Sequence, residues 1–370
     1  MRILQILGTS TGGVGTHVRA LARDLAKTHT VAVLAPASTL NHFDLDQVPN
    51  VTAIACAMST QLHPRDVTSI RELRRRIHHF APDIIHAHGF RAGLLSLLAA
   101  RRSPVPVVVS WHNQASGRGI KQRLEHAVES FIARRADLTL GASEDLAERA
   151  RAVGGTRVDF APVAAPAPAA VTPAESEGLR RELLDGFPGK AMLALMVGRV
   201  APQKNYELLI DVAERLTDLP LHIVIAGAAD AGVQTELTER LARTDLGAAR
   251  VSFLGPRSDV SALMSAADCY LLTSHWEARA LVVQEALAAG LPIIASKVGG
   301  IPELVAGAGI LVDPASPAAA DEFASAIREL SDPATRREWS ARARARAAEL
   351  PDEEAVARNL ERHYTELLSS

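Results

Sequence analysis

Short apolar runs alternate with helical patterns along almost the whole chain, and this alternation limits the fold more than any other feature. Strands that alternate with helices predict a parallel sheet with helices on both faces. The helix after the first strand has an apolar stripe with the i, i+3, i+4, i+7 spacing of a core-facing helix: Val18, Leu21, Ala22 and Leu25. The strands predicted in the first half cover residues 2–7, 30–35, 51–56, 83–87, 105–110, 137–141 and 157–160.

The alternation restarts after a proline- and alanine-rich run at 162–173, which has no hydrophobic period and is typical of a semi-extended linker. A chain of 370 residues is long for one core. We therefore predict an α/β fold with doubly wound domains at 1–165 and 189–350, a linker at 166–188 and a last helix at 351–370, where Pro351 suits a first turn. The later strands are predicted at 191–197, 221–226, 251–254, 268–272, 292–295 and 309–312, before a charged helical segment at 316–349.

The composition excludes several functional classes. A formal charge of −2 and an aromatic content of 4% argue against a nucleic-acid platform. No apolar run reaches the length of a membrane span, and the first one is too short for a signal peptide, so we expect a cytoplasmic location. Cys56 and Cys269 both lie in apolar strand patterns, which predicts buried thiols rather than a disulfide or a metal site.

Two glutamates, Glu277 and Glu285, lie eight residues apart between two predicted strands. The pattern places Glu277 in a strand-to-helix loop and Glu285 about one turn into the helix. Open α/β sheets bind ligands at the carboxyl ends of their strands, so both acids can face one ligand there. A glycoside hydrolase would need the two acids to flank one bond. Two acids on one loop–helix unit fit the gripping of a long ligand better.

Arg199 and Lys204 follow the first strand of the second half. An arginine fork and a lysine point charge on one loop suit a diphosphate. They would neutralise the charge that develops when a bond to that diphosphate breaks. The alternative interpretation is two solvated surface cations.

Gly12 and Gly13 lie between the first strand and the first helix. Glycines let the backbone approach a ligand, and a helix N-terminus offers free N–H groups to an anion. A dinucleotide fingerprint needs a third glycine where this chain has Val18, and the second strand ends at Ala35 and Pro36 without a ribose-binding acid. An NAD site is therefore not expected, and a plain tight turn is the alternative to an anion site.

Taken together, these segments resemble the family 4 retaining glycosyltransferases of the GT-B fold. Such enzymes carry G-R-(x)4-K, E-x7-E and V-G-G-x-P-E in this order, which here are residues 198–204, 277–285 and 298–303. The resemblance implies two Rossmann-like domains that face each other across a cleft, with the last helix crossing back to the N-terminal domain.

The same resemblance implies a hexosyltransferase that moves a sugar from a UDP- or GDP-sugar to a small-molecule, glycan or lipid acceptor. It implies retention by front-face attack, with no metal and no cofactor. A GT-B nucleotide-sugar 2-epimerase and a non-catalytic nucleotide-sugar binder are the alternatives. The epimerase should lack this combination of three motifs, and the intact charged residues argue against a non-catalytic binder.

Roles for individual residues also come from the resemblance. It assigns the diphosphate to Arg199, Lys204 and the glycine loop, the ribose to Glu285, and the sugar to Glu277 and His112. The base would lie near residues 253–257, at the turn after the third strand of the second domain. The catalytic residues implied are His112, Glu277, Arg199 and Lys204; the donor-binding residues implied are Gly12, Gly13, Arg199, Lys204, Gly255, Pro256, Arg257, Glu277, Arg279, Ala280, Leu281, Val282 and Glu285.

The chain departs from the family at Arg279. Many members read E-G-F-G-L where this chain has E-A-R-A-L at 277–281. Alanines restrict φ, so the loop should be stiffer and close to ordinary backbone geometry. A cation beside the expected sugar pocket loses hydration unless it finds a partner. That partner is either an anionic group on a substrate or an internal acid such as Glu277, and both remain open.

Two patterns mimic metal sites. His86 and His88 end a predicted strand and would point to one face, which suits a metal pair, but no third ligand stands out. We interpret them as loop structure near the acceptor.

Asp44 and Asp46 form a D-x-D, the metal motif of the GT-A architecture, but they lie in a polar loop rather than at a strand end. His112 likewise has a structural alternative, as a buried histidine with satisfied hydrogen bonds.

A basic helix is predicted at 65–79, with Ile70, Leu73 and Ile77 as its apolar stripe. One interpretation is a solvated face on a surface helix. The other is weak peripheral contact with an anionic membrane.

Overall fold

The computed structural model describes residues 1–58, 66–114, 119–187 and 189–369. The chain divides into two compact units. Unit 1 is Met1–Pro166 together with Pro351–Ser370, and unit 2 is Ala167–Leu350. The last segment of the chain therefore belongs to the same unit as the first.

Each strand predicted from the sequence is present close to its predicted bounds. Unit 1 contains β1 (Arg2–Leu7), β2 (Thr30–Ala35), β3 (Val51–Ala55), β4 (Ile84–His88), β5 (Val107–Trp111), β6 (Leu138–Gly141) and β7 (Val158–Phe160). Unit 2 contains β8 (Met192–Val197), β9 (Leu221–Ala226), β10 (Ala249–Gly255), β11 (Cys269–Leu272), β12 (Ile293–Ser296) and β13 (Gly309–Val312).

The helices fill the connections between these strands. In unit 1 they are α1 (Gly13–Leu25), α2 (Ala37–His42), α3 (Asp66–Phe80), α4 (Gly89–Ala100), α5 (Gly119–Arg135), α6 (Glu144–Ala152) and, at the end of the chain, α15 (Glu353–Leu368). In unit 2 they are α7 (Pro173–Leu183), α8 (Tyr206–Glu214), α9 (Ala231–Arg243), α10 (Val260–Ala266), α11 (Leu281–Ala288), α12 (Ile301–Val305), α13 (Ala319–Ser331) and α14 (Pro333–Glu349).

Both sheets are parallel and doubly wound, as predicted. Among the described residues, the sheet of unit 1 has the order β3-β2-β1-β4-β5-β6-β7, and that of unit 2 has the order β10-β9-β8-β11-β12-β13. The strand order reverses between β1 and β4 and again between β8 and β11. Ligands of open α/β sheets bind at the carboxyl ends of the strands that flank such a switch point. The candidate ligand-binding loops are therefore those after β1, β4, β8 and β11.

The central strands are buried on both faces, which is why they read as continuous apolar runs rather than as alternating ones. In unit 1, helix α15 packs against α1, as the resemblance implied. Their apolar stripes share one core cluster, in which Leu360 and Tyr364 lie with Val18 and Leu21. The Cys56 and Cys269 thiols are free and buried, as predicted.

The predicted linker at 166–188 is partly wrong, because α7 lies inside it. Thr172 and Glu175 form a capping box, and Pro173 is the first helical residue, where proline is favoured. Leu183 is buried in a core cluster of unit 2. The proline that seemed to extend the linker in fact begins a helix of unit 2.

Two surface patterns of unit 1 have ordinary structural settings. Asp44 and Asp46 lie between α2 and β3, not at a strand end, around the fully buried Leu45. In α3, Leu73 and Ile77 are buried, Glu72 pairs with Arg75 and Arg76, and the Arg74 guanidinium donates to the carbonyls of Leu98 and Ala99. Position 65 of the predicted basic helix lies outside the described residues, and no helix of the described chain is long and apolar enough to span a membrane.

Candidate active site

In unit 2, the turn after β8 carries both predicted cations. It ends at Asn205, whose φ of +52° is left-handed and suits asparagine better than most residues. Thr273, directly after β11, donates its hydroxyl to the Lys204 carbonyl oxygen over 2.9 Å. The loops that follow the two switch-point strands are thereby joined through Lys204.

Lys204 and Glu277 form the centre of this site. The Lys204 Nζ lies 2.7 Å from Glu277 Oε1, and the Ser274 hydroxyl donates to the same oxygen over 2.7 Å. The two charged side chains are 15% and 11% exposed, so the pair is shielded but reachable from solvent. The structure thus brings a motif lysine and a motif glutamate into direct contact.

Arg199 does not share that contact. Its side chain is 62% exposed, and its guanidinium lies 3.7 Å from the carboxylate of Asp230. An exposed pair of this kind contributes little to stability. Arg199 is therefore free to reorient toward an anion at low energetic cost.

The E-x7-E loop is held against the V-G-G-x-P-E segment by its backbone. The Gly300 amide donates to the Glu277 carbonyl oxygen over 3.0 Å. At Gly299, where φ is +49°, a Cβ would lie 2.0 Å from that same carbonyl oxygen. The close approach explains why a glycine is needed at this position.

Arg279 finds an internal acid, and that acid is Glu303 rather than Glu277. The Arg279 Nη1 donates to Glu303 Oε1 over 3.0 Å, and the Arg279 side chain is only 3% exposed. Burial lowers the pKa of Arg279, against the opposing effect of Glu303. Ala280 has a φ of −66°, which is the ordinary geometry predicted for this loop. Arg346 of α14 donates to the backbone carbonyl of Glu303, and its positive charge also lowers the pKa of Arg279.

Glu285 lies in α11, the helix whose N-cap is Ala280. Burial raises the pKa of the Glu285 carboxyl. Within the described part of the chain, no hydrogen bond or ion pair satisfies its side-chain carboxylate. The first intrahelical bonds of α11 come from Val283 and Gln284, so the amides of Leu281 and Val282 remain available at the N-terminus.

The turn after β10 holds the remaining predicted donor residues. Gly255 has a φ of +70°, and Pro256 follows it. Arg257 makes two hydrogen bonds to the carboxylate of Asp259, at 2.7 and 2.5 Å, and this pairing raises the pKa of Arg257. The Arg257 guanidinium is thus held by a carboxylate two residues further along the chain.

In unit 1, Gly12 is the N-cap of α1 and Gly13 is the first residue of that helix, not a loop residue as predicted. Gly12 has an extended φ of −140°, and a Cβ there would meet no atom of the described residues within 4 Å. Gly15 differs, because a Cβ there would lie 2.0 Å from the ring of Phe43. The packing of unit 1 therefore explains the glycine at 15 but not the one at 12.

Four histidines gather at the switch point of unit 1: His17 on α1, His86 and His88 on β4, and His112 just after β5. The Nδ1 of His88 lies 3.2 Å from the Nε2 of His112. The ring nitrogens of His86 contact the Tyr364 hydroxyl at 2.6 Å and the Ser110 hydroxyl at 2.7 Å. His86 and His88 do share one face, with ring centres 4.1 Å apart.

Burial lowers the pKa of every histidine in this cluster. The pKa falls to about 3 for His86 and to about 4 for His112, and it is well below the usual range for His17 and His88. Neighbouring imidazoles add to the effect for His17, His86 and His88, because a charge on one ring disfavours a charge on the next. All four rings are therefore neutral at pH 7. Among the described residues, no group of three or more His, Cys, Asp or Glu side chains could hold a metal ion.

The sequence did not indicate several residues that complete these sites. Thr273 and Ser274 directly follow β11, so their position at the carboxyl end of a switch-point strand was an available signal. Glu303 lay in a recognised motif, but nothing in the sequence paired it with Arg279. Tyr364 carried no signal, because its partner His86 is 278 residues away in the sequence.

Comparison with known proteins agrees with this architecture. The family model described as glycosyl transferases group 1 matches residues 185–346, and the glycosyl transferase 4-like domain matches residues 12–166. D-inositol 3-phosphate glycosyltransferase of Corynebacterium aurimucosum is 30% identical over 313 residues, which cover 78% of this chain and 72% of that protein. The Corynebacterium efficiens enzyme of the same name is 33% identical over 258 residues, which cover 64% of this chain and 60% of that protein.

Solved structures share the fold at lower identity. Anabaena HepE in complex with UDP and glucose superposes with a TM-score of 0.83 and 21% identity, over 99% of this chain and all of that one. Sucrose-phosphate synthase from Thermosynechococcus elongatus has a TM-score of 0.82 and 23% identity, with full coverage of both chains. The matched motifs, the two doubly wound sheets and these relatives lead to one assignment. The chain belongs to the family 4 glycosyltransferases of the GT-B fold.

Proposed function

We propose that this glycosyltransferase moves a sugar from a nucleoside diphosphate sugar to an acceptor hydroxyl with retention at the anomeric carbon. The contact between Lys204 and Glu277, at 2.7 Å, is the observation that carries the proposal. A phosphate of the donor would replace Glu277 as the partner of Lys204, because charge-assisted contacts of this kind exchange without leaving a cation unpaired. Glu277 would then accept hydrogen bonds from sugar hydroxyls.

The proposed chemistry follows from the positions of the positively charged side chains and of the hydrogen-bond donors in unit 2. The bond between the anomeric carbon and the diphosphate oxygen breaks, the acceptor oxygen bonds to that carbon on the same face, and the acceptor proton passes to the leaving diphosphate. Lys204, Arg199 and the amides of Leu281 and Val282 would stabilise the developing charge. We propose that they make a divalent cation unnecessary.

Other roles complete the proposed donor site. Glu285 would accept two hydrogen bonds from the ribose, which a carboxylate can do at once. The backbone of the turn at 255–257 would lie near the base. In unit 1, we propose that the backbone at Gly12 and Gly13 is an anion-binding element and that His112 binds a sugar hydroxyl. The absence of any packing reason for glycine at position 12 supports the first of these roles.

The identities of donor and acceptor are proposals drawn from relatives. HepE is named in complexes with UDP and with UDP-glucose, so a UDP-sugar is the first donor to test, with GDP- and ADP-sugars beside it. The curated relatives are named for D-inositol 3-phosphate, which makes polyol phosphates the first acceptors to test. This chain spans only 60% and 48% of the length of two of these relatives, so glycan and lipid acceptors belong in the same screen.

The decisive experiment has two stages. A thermal-shift screen with UDP, GDP, ADP and their sugars identifies the donor, because a ligand that binds only the folded state raises its stability. Release of nucleoside diphosphate is then measured with and without acceptor, and the product anomer is determined by NMR. Release that depends on acceptor, with the donor configuration kept, is the expected result. An inverted product would exclude retention, and an isomerised donor without acceptor would support an epimerase.

Metal dependence is tested in the same assay. We expect turnover to survive EDTA. Complete loss with chelator and rescue by Mn²⁺ or Mg²⁺ would overturn the proposal that protein cations alone neutralise the diphosphate.

A further inference from the structure

We infer that His88 is a positioning residue for His112: its Nδ1–H donates to His112 Nε2 and thereby keeps the His112 proton on Nδ1. This inference rests on the proposed function, in which His112 binds a sugar hydroxyl. The two nitrogens are 3.2 Å apart, the ring centres are 5.5 Å apart, and the ring planes differ by 20°. The contact is therefore a hydrogen bond between two parallel rings.

The direction of this hydrogen bond follows from burial. Two neutral imidazoles that share one hydrogen bond must provide one donor and one acceptor. The other nitrogen of His88, Nε2, is buried and has no hydrogen-bond partner among the described residues. Buried N–H groups without partners are rarer in native proteins than buried acceptors that lack one. The His88 proton therefore belongs on Nδ1, where it has an acceptor.

Once His88 donates, the tautomer of His112 is determined. His112 Nε2 accepts, so the proton of a neutral His112 ring is on Nδ1. His112 then offers a hydrogen-bond donor, not an acceptor, to a ligand. A sugar hydroxyl or ring oxygen can accept from it, and a neutral N–H avoids adding a charge beside the reacting carbon.

The neighbouring residues prevent a flip of the His88 ring about its Cβ–Cγ bond. The His86 ring packs at 4.1 Å from it, and His86 is itself held at both nitrogens, by Tyr364 of α15 and by Ser110 of β5. The His17 ring packs edge-on at 6.0 Å. A flip of the His88 ring would place carbon, instead of Nδ1, opposite His112. The last helix of the chain thus contributes to the orientation of His112 through Tyr364.

The test uses two amides of different length. Asn in place of His88 puts an amide near the position of Nδ1, whereas Gln puts one near Nε2. We expect His88→Asn to keep transfer within about threefold of wild type. His88→Gln and His88→Leu should lower kcat about tenfold, the loss of roughly one hydrogen bond, with donor KM little changed. A role in packing alone would instead favour Gln and Leu, which fill the space better than Asn.

A second readout does not depend on activity. Long-range ¹H–¹⁵N NMR of the ¹⁵N-histidine protein reports which ring nitrogen carries the proton. We expect His112 protonated on Nδ1 in the wild type and in His88→Asn, and a shift toward Nε2 in His88→Leu. A wild-type His112 protonated on Nε2 would overturn the inference even if every variant failed to fold. If transfer fails but the Nδ1 tautomer is found, the proposed function is wrong and the positioning by His88 stands.

Discussion

The two units place their candidate site residues at the same topological position, yet they treat charge in opposite ways. The switch point of unit 1 is lined by four imidazoles that burial keeps neutral. The switch point of unit 2 holds cations that are each matched by a carboxylate, in the pairs Lys204–Glu277 and Arg279–Glu303. Desolvation acts on both. A histidine can respond by losing its proton, whereas lysine and arginine stay charged and need a partner.

This difference agrees with the proposed division of labour. A diphosphate needs positive charge that is present before the ligand arrives, and paired cations provide it without an unpaired buried charge. A sugar is uncharged, so neutral hydrogen-bonding rings suit it. If this contrast holds, changes to the histidine cluster and changes to the ion pairs should have different consequences.

Acidification should destabilise unit 1 through its histidine cluster. The folded pKa is about 3 for His86 and about 4 for His112, below the unfolded value near 6.5, so the unfolded chain binds more protons between these values. Stability from these groups is full above pH 6.5 and falls as the pH drops toward 4 and then 3. By pH 4 we expect a loss of about 3 kcal/mol from His86 alone. Hydrogen exchange read by mass spectrometry at pH 7 and pH 5, corrected for intrinsic rates, separates the two units. Equal loss of protection in both would contradict the prediction.

Removal of Glu303 should cost more stability than removal of Arg279. Glu303→Ala leaves a guanidinium that is 3% exposed without its carboxylate, and breaking a buried pair in this way costs about 3 kcal/mol. Arg279→Met leaves the carboxylate, which is 36% exposed and can be hydrated, so its cost is smaller. Urea unfolding measures both. Asp218→Ala, which breaks an exposed pair with Arg328, is the matched control and should cost less than about 1 kcal/mol. The reverse order for Glu303 and Arg279 would mean that the buried arginine does not depend on Glu303.

The Arg279 variants also decide between its two interpretations. Arg279→Ala and Arg279→Lys are assayed with neutral and with anionic acceptors. Because the structure already supplies an internal acid, we expect both kinds of acceptor to lose activity equally. A selective loss of anionic acceptors would show that Arg279 also recognises a substrate anion.

Lys204→Ala and Arg199→Ala should each weaken the binding of the nucleoside diphosphate. A hydrogen bond to a charged group contributes about 1.5–3 kcal/mol, which corresponds to roughly tenfold or more in affinity. Lys204→Ala should have the larger effect, since it also leaves Glu277 with Ser274 as its one side-chain partner among the described residues. Titration calorimetry measures both, with Arg328→Ala as a surface control that should bind like the wild type. Wild-type affinity in both site variants would remove them from the donor site.

Glu285→Gln should raise stability while it weakens ribose recognition. Burial raises the pKa of Glu285, so the ionised carboxylate destabilises the empty protein, and a neutral amide relieves this. We expect a Tm increase of about 2 °C. The affinity for UDP should fall several-fold, and the preference for UDP over 2′-deoxy-UDP should shrink. An unchanged preference would mean that Glu285 does not contact the ribose 2′-hydroxyl.

The architecture could be predicted from the sequence alone, because hydrophobic periodicity and the residues that begin or end helices and strands are local properties of the chain. Apolar runs buried on both faces, amphipathic stripes such as that of α1, and motifs at the ends of β8 and β11 all lie within short stretches of chain. The same locality explains the error at α7, where one proline is compatible with a linker and with a helix start. The strand ends, and hence the loops that carry the candidate residues, were therefore predictable.

The ion-pair and hydrogen-bond partners of these side chains follow from the tertiary structure and not from the sequence. Lys204 and Glu277 are 73 residues apart in the sequence, and His86 and Tyr364 are 278 apart. No local pattern says that Arg279 pairs with Glu303 instead of Glu277, or that His88 faces His112. Such choices depend on which loops the sheet order brings together and on how much water each side chain loses. The residue types were written in the sequence, but their charge states and hydrogen-bond directions come from burial in the folded units.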